Sequence, residues 1–166
     1  MHLDSYKQME RNLARYLDAD KDYFILDVGS QLVVGLGLQR TYRDLMKPNW
    51  KYIGIDIVPG ENVDIVMSNE SIPFPDNSVD VVLSGQCLEH CYNPFTLINE
   101  MIRVLNPGGI IIVAAPFNQG KHTNIDRWRF LPQGFESLFE HSKLECINIY
   151  LHKGEKFYDC WGIGRK

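Results

Sequence analysis

Tyr23-Phe-Ile-Leu-Asp-Val-Gly-Ser30 and Trp50-Lys-Tyr-Ile-Gly-Ile-Asp56 are two short apolar runs, each with an aspartate towards its carboxyl end. Residues 23–28 are β-branched and aromatic, too few for a helix, and run into Gly29. That pattern predicts a buried strand entering a tight turn. Residues 52–57 read the same way, with Asp56 near the end. Between them residues 41–47 suit a helix, and Pro48-Asn49 stops it. Strand, turn, helix, strand is a βαβ unit, so the two strands should be parallel neighbours. Ligands of an open parallel sheet lie beyond the carboxyl ends of its strands. Asp27, Gly29 and Asp56 all fall there. A carboxylate on the second strand can accept hydrogen bonds from both hydroxyls of a ribose, and the first turn can bring backbone close to a nucleoside.

The chain has 166 residues, enough for one domain with a real core (1–166) and too few for two. Apolar content of 45% and charged content of 23% are ordinary for a soluble globular protein. The net charge is -4 and no stripe of Lys or Arg is present, which argues against nucleic acid or an anionic membrane as partner. No apolar segment approaches membrane-spanning length, and the amino terminus has no apolar signal-peptide core. Four cysteines without a secretion signal suggest reduced thiols and a cytoplasmic location.

Outward from the βαβ unit, residues 3–17 predict a helix, with Tyr6, Met9, Leu13, Tyr16 and Leu17 at helical spacing. It either packs on the sheet's edge or forms a lid (1–20). Gly35-Leu-Gly37 comes late after the first strand and lacks a third glycine, which argues against a nicotinamide dehydrogenase. The helix from residue 41 would present free N–H groups to an anion, with Arg43 as counterion. The connection from Asp56 to the apolar run 63–67 is too short for a crossover helix, so a turn and a short edge strand are expected. Residues 79–84 form the next strand and 94–105 a helix, with Pro94 in its first turn and Asn93 as cap. Cys87, His90 and Cys91 lie too close together, without a partner cluster, to be a good zinc template, so no metal is expected. Residues 106–109 turn into a fifth strand, 110–114. The loop after Pro116 mixes His122, Asp126, Arg127, Trp128 and Arg129 at the strand end where substrates bind. Trp128 and Arg129 either face a substrate or, with Asp126, hold the loop together. Residues 132–141 predict a helix, and 144–151 with 155–163 an antiparallel pair.

Ile72-Pro-Phe-Pro-Asp-Asn-Ser-Val-Asp-Val-Val82, Cys87-Leu-Glu-His90 and Glu100-Met-Ile-Arg-Val-Leu-Asn-Pro-Gly-Gly109, in this order, resemble the class I S-adenosylmethionine-dependent methyltransferases, particularly the ubiquinone-biosynthesis-like (type 11) group. The likeness covers residues 23–116. The first motif departs from the family's Asp-x-Gly-x-Gly-x-Gly: here it is Asp27-Val-Gly-Ser-Gln-Leu-Val33, followed by an apparent insertion, 34–39. The resemblance implies a single Rossmann-like α/β domain, with a mostly parallel seven-stranded sheet, an antiparallel last strand and a shortened connection between strands 2 and 3. It implies S-adenosyl-L-methionine as cofactor, held by Asp27, Gly29, Ser30 and Gln31 of the first turn, Arg43, Asp56 and Ile57 after the second strand, Ser68 and Asn69 near adenine, and Gln86. His90 and His122 are candidate bases because histidine titrates in the useful range. Asp126 can orient one of them. Glu89, Trp128 and Arg129 are candidate substrate contacts. The expected function is methyl transfer to an oxygen or nitrogen of a small-molecule acceptor. A non-catalytic methyltransferase-like subunit and, behind it, a nucleotide-binding oxidoreductase remain as alternatives, and a homo-oligomer stays open.

Overall fold

The computed structural model describes residues 2–33, 39–156 and 158–166. In chain order its elements are α1 (Leu3–Tyr16), β1 (Tyr23–Val28), a 3-10 turn (Tyr42–Leu45), β2 (Trp50–Asp56), β3 (Ile65–Val66), β4 (Val79–Gly85), α2 (Pro94–Val104), β5 (Leu105–Pro116), α3 (Pro132–His141), β6 (Glu145–Lys153) and β7 (Tyr158–Arg165). The strands form one seven-stranded sheet in the order β3-β2-β1-β4-β5-β7-β6. The strands from β3 through β5 are parallel, and β7 runs antiparallel to both its neighbours. The order reverses between β1 and β4. The carboxyl ends of these two strands therefore flank the crevice where such sheets bind ligands.

Side chains of β5 alternate between two cores. Ile111, Val113 and Ala115 join α2 and α3 on one face. Ile110, Ile112 and Ala114 join α1 on the other. A strand buried on both faces reads as a continuous apolar run, which is why residues 110–115 show no polar alternation. α1 presses Tyr6, Met9, Leu13 and the following Leu17 onto the central strands through Ile25, Val81 and Leu83. It therefore lies across the sheet's face and not at its edge.

The expected helix at 41–47 is only the four-residue 3-10 turn. Its amide at Thr41 donates to Asp44 Oδ2 (2.9 Å), and Met46 leaves the turn in an extended conformation. Pro48 disfavours helical backbone at residue 47, so the segment is too short to propagate a helix. The expected anion-binding helix amino terminus is thus absent among the described residues. The stretch 34–38 of the expected insertion lies outside them. The short connection after β2 is as expected: residues 57–64 carry only turns and bends, and β3 has two residues. The expected turn at 106–109 is taken up at the start of β5, where the register with β4 shifts between Val79 and Val81. Asn93 caps α2 as its position suggests, accepting from the amides of Phe95 (3.0 Å) and Thr96 (3.3 Å).

Arg103 near the end of α2 ties the segment before β4 to the helix. It donates to the carbonyls of Phe74 and Ile72 (both 2.8 Å), to Asp76 Oδ1 (2.7 Å) and to Glu100. Arg103→Met should cost about 1–3 kcal/mol in urea unfolding, discounted for the guanidinium's partial exposure. A loss below about 0.5 kcal/mol would show that the segment is held by its apolar residues alone.

Candidate active site

A cavity of about 360 Å³ opens at the carboxyl ends of β1 and β4. Gly29 follows β1 at φ +81°, and a Cβ there would lie 2.5 Å from both Cβ and Sγ of Cys87. Gly85 ends β4, and a Cβ there would lie 2.0 Å from the Tyr42 hydroxyl. Only glycine permits either approach. Three buried polar atoms of cavity-lining residues have no hydrogen-bond partner: Tyr42 Oη, Gln86 Nε2 and Gln119 Oε1. Buried polar groups left unpaired are costly, so this lining suits a ligand with several polar groups.

Asp27 lies on the cavity wall at 3% exposure and accepts a 2.6 Å hydrogen bond from Tyr52 Oη. Burial pushes its carboxyl up to about 7, against the lowering effect of the Tyr52 bond. Asp56, ending β2, accepts from the amides of Gln31 (3.1 Å) and Val58 (3.3 Å). Its carboxylate thereby locks the turn after β1 to the end of β2.

The far wall is built by the turn after β4 and the loop after β5. The amides of Arg127 (2.7 Å) and Trp128 (3.2 Å) donate to the Glu89 carbonyl. Arg127 Nη1 donates to the His90 carbonyl (2.8 Å), and Trp128 Nε1 to that of Cys91 (3.1 Å). Asp126 holds Arg129 through two bonds (2.5 and 2.7 Å), and Arg129 also donates to the carbonyls of Gln119 (2.5 Å) and Gly120 (2.9 Å). The Arg129 guanidinium holds the Asp126 carboxyl well below the usual carboxylate range. Asp126 Oδ2 also lies 3.1 Å from His122 Nδ1 and accepts from the His122 amide (2.9 Å). His90 Nδ1 lies 2.5 Å from the Ile125 carbonyl, its ring 5.4 Å from that of His122, and its Nε2 3.6 Å from Glu89 Oε1. Burial lowers the His90 imidazole and pushes the Glu89 carboxyl up to about 8.

Of the sequence-predicted residues, the cavity brings together Asp27, Gly29, Ser30, Gln31, Gln86, His90 and His122. Asp56 borders it through Gln31. Ile57 is exposed beyond Asp56, and Ser68 and Asn69 lie in an exposed turn after β3, away from the cavity lining. Arg43 is turned elsewhere: it bonds Asp64 (2.6 Å) and Asn62 (2.8 Å) and lies 4.4 Å from the Tyr52 ring centroid. Arg129 spends its donors on Asp126 and loop carbonyls, so the loop-holding reading fits it and the substrate fork does not. Trp128 is 41% exposed and lies outside the cavity lining, beside Cys91. Cys87 is packed under Gly29, and Cys91 Sγ donates to the Leu88 carbonyl (3.0 Å), so these thiols do not converge with His90 on a shared point. Arg40, Thr41, Tyr42 and Gln119 line the cavity and were not anticipated. Tyr42 had a signal in Gly85, whose missing side chain makes room for the hydroxyl. Arg40 had none.

A family model described as a methyltransferase domain matches residues 32–113. A relative from Mycolicibacterium smegmatis, described as a probable S-adenosylmethionine-dependent methyltransferase, is 39% identical over 69 residues, covering 39% of this chain and 27% of the relative. The match thus spans about a quarter of that relative's length. Among solved structures, a 1,6-didemethyltoxoflavin-N1-methyltransferase from Burkholderia thailandensis, with bound 1,6-didemethyltoxoflavin and S-adenosylhomocysteine, superposes with a TM-score of 0.75 at 16% identity, covering 98% of this chain and 78% of that one. The [4+2]-cyclase SpnF superposes with a TM-score of 0.70 at 18% identity, covering 96% and 80%. The sheet order and topology are thus those of class I methyltransferases, and residues 32–113, just under half of the chain, match a methyltransferase domain. The unpaired Tyr42, Gln86 and Gln119 groups around the glycine-lined cavity fit a ligand with the polarity of S-adenosyl-L-methionine.

Proposed function

We propose that residues 1–166 work as one domain that transfers the methyl group of S-adenosyl-L-methionine to an oxygen or nitrogen of a small molecule in the cytoplasm. The observation that carries the reading is the single cavity joining the Gly29 turn and Gln86 to His90 and His122. The bound cofactor supplies a methyl group on a positively charged sulfur, already activated for in-line displacement. The chain's task is then alignment. Asp56 would hold the ribose hydroxyls and Gly29 to Gln31 would face the nucleoside, whereas Ser68 and Asn69, away from the cavity, have no part in holding it. Arg40, which lines the cavity, replaces Arg43 as the counterion of the carboxylate end. The acceptor enters from the side of His90 and His122, and Glu89 lies behind them. Each histidine has Nδ1 engaged, so Nε2 is the nitrogen left to meet an acceptor proton. The loop around Asp126 and Arg129 keeps His122 in place.

The small cavity and the net charge of -4 favour a small acceptor over a nucleic acid. The Burkholderia protein's heterocyclic ligand is in keeping with that class, whereas SpnF shows that a similar fold can carry a cyclase. Titration calorimetry should show binding of S-adenosylmethionine and S-adenosylhomocysteine. Asp56→Ala should weaken binding roughly 10- to 150-fold, the equivalent of losing a charged acceptor of about 1.5–3 kcal/mol. Formation of S-adenosylhomocysteine in the presence of a small-molecule acceptor panel tests the transfer itself. Absence of cofactor binding by the wild type overturns the reading, and binding without turnover on any acceptor favours the non-catalytic subunit.

A further inference from the structure

Glu89, His90 and His122 come from two separate loops, yet they offer ligand atoms that all lie within 4.8 Å of one another. Glu89 is 0% exposed, and neither carboxylate oxygen has a hydrogen-bond partner. A buried carboxylate without a partner is expensive, and a cation beside it removes the cost. The neighbouring cation, Arg129, is already committed to Asp126.

The imidazoles are prepared for the same point. His90 Nδ1 lies 2.5 Å from the Ile125 carbonyl, which fixes the proton on Nδ1 and leaves a lone pair on Nε2, the nitrogen facing Glu89. His122 Nδ1 lies 3.1 Å from Asp126 Oδ2, which fixes the same tautomer and leaves its Nε2 lone pair free to coordinate. A histidine held through its second nitrogen by a carboxylate or carbonyl is the usual supporting arrangement for a metal ligand. Asp126 is itself locked by Arg129, so the supporting shell is rigid.

We propose that Glu89, His90 and His122 form a binding site for one divalent transition-metal ion at the acceptor end of the cavity. Two imidazoles and one carboxylate on one side of an ion suit Mn(II), Fe(II), Co(II) or Zn(II) and leave positions open, whereas Mg(II) and Ca(II) prefer oxygen alone. Ligand atoms around such an ion stand about 3–3.5 Å apart at bond lengths of about 2.1 Å. The exposed His122 side chain can make that closure. The site stands on these residues alone. Its role rests on the methyl-transfer reading: the ion would take an oxygen or nitrogen of the acceptor as a further ligand, and the two Nε2 atoms would serve it in place of a proton.

The test uses untagged full chain, stripped with chelator and titrated with Mn(II) while the signal of the free ion is followed by electron paramagnetic resonance. Co(II) absorption is recorded in parallel. Neither cofactor nor acceptor is present. The wild type should take up one equivalent, with visible bands that indicate nitrogen and oxygen ligation. Glu89→Gln and His122→Asn should each weaken uptake at least tenfold with unchanged circular dichroism. Should the buried Glu89→Gln variant fail to fold, the exposed His122→Asn variant decides. No uptake by the wild type overturns the site, as does uptake unchanged in a folded variant, which would place the ion on other groups such as the exposed thiol of Cys146. A chain that binds the ion but, in a separate titration, does not bind S-adenosylmethionine upholds the site and overturns the methyl-transfer reading.

Discussion

Asp27→Asn is expected to remove about 4 kcal/mol of pH-dependent stability change between pH 4 and pH 7. The folded carboxyl titrates at about 7 because it is buried against the sheet, whereas an unfolded aspartate titrates near 3.9. Between those values the folded state holds a proton that the unfolded state has released. Stability contributed by this group is therefore complete below about pH 4 and is lost as the pH rises through 7. A shift of about three units corresponds to roughly 4 kcal/mol. Asparagine keeps an oxygen for the Tyr52 hydroxyl and cannot ionise. Glu89 is also raised, to about 8, so the wild-type curve alone is ambiguous. The informative quantity is the difference between variant and wild type in urea unfolding at a series of pH values. The variant should be the more stable chain at pH 8 and close to wild type at pH 4. Parallel curves would mean that Asp27 is ionised throughout and that water or a ligand reaches it. The same charge bears on function, because a sulfonium cation in the cavity favours the ionised form. Affinity for S-adenosylmethionine should fall more in the variant at pH 8 than at pH 6, and that for the uncharged thioether product should change less.

The fold was legible because its strands are buried on both faces. Residues 110–114 read as an unbroken apolar run and residues 23–28 and 79–84 as mostly apolar ones, and they are the centre of the sheet. The cavity's position followed from topology, since Asp27 and Gln86 stand at the ends of adjacent parallel strands. The 3-10 turn reads as a helix in the sequence because spacing over seven residues cannot distinguish a helix from a turn that buries one tyrosine. The expectation for Arg43 rests on that helix, and Arg40, just before the turn, carries no signal of its own in the sequence. Side-chain pairing was the other blind spot. Nothing in the spacing of residues 117–130 tells whether Arg129 faces a ligand or curls back on Asp126. Nor could sequence separation show that His122 returns to the turn carrying Glu89 and His90. The glycines were the better guide, since Gly29 and Gly85 mark the places where Cys87 and Tyr42 close in on the backbone.

Asp126→Ala should cost about 1.5–3 kcal/mol in folding stability, the range for a hydrogen bond to a charged group, discounted for the partial exposure of the Arg129 guanidinium. Its carboxylate is fully enclosed, bonds Arg129 twice, accepts from the His122 amide and faces the His122 ring. Removal strands the guanidinium among the Gln119 and Gly120 carbonyls and releases His122 from its tautomer. Arg129→Met should cost less, because Asp126 keeps the His122 contacts. A double variant should recover part of the summed loss, and that coupling is the quantity of interest. The pH dependence has the opposite sign to that of Asp27. Arg129 depresses the folded carboxyl below its unfolded value, so the stabilisation is present above about pH 4 and lost as the pH falls further. Urea unfolding from pH 3 to pH 7 should therefore show a constant gap between wild type and Asp126→Ala above about pH 4 that begins to narrow towards pH 3. If the single variant costs under about 1 kcal/mol at pH 7, the pair behaves as an exposed one. The loop would then hang from the Glu89 carbonyl through the amides of Arg127 and Trp128 alone, and His122 would owe its position to the backbone and not to Asp126.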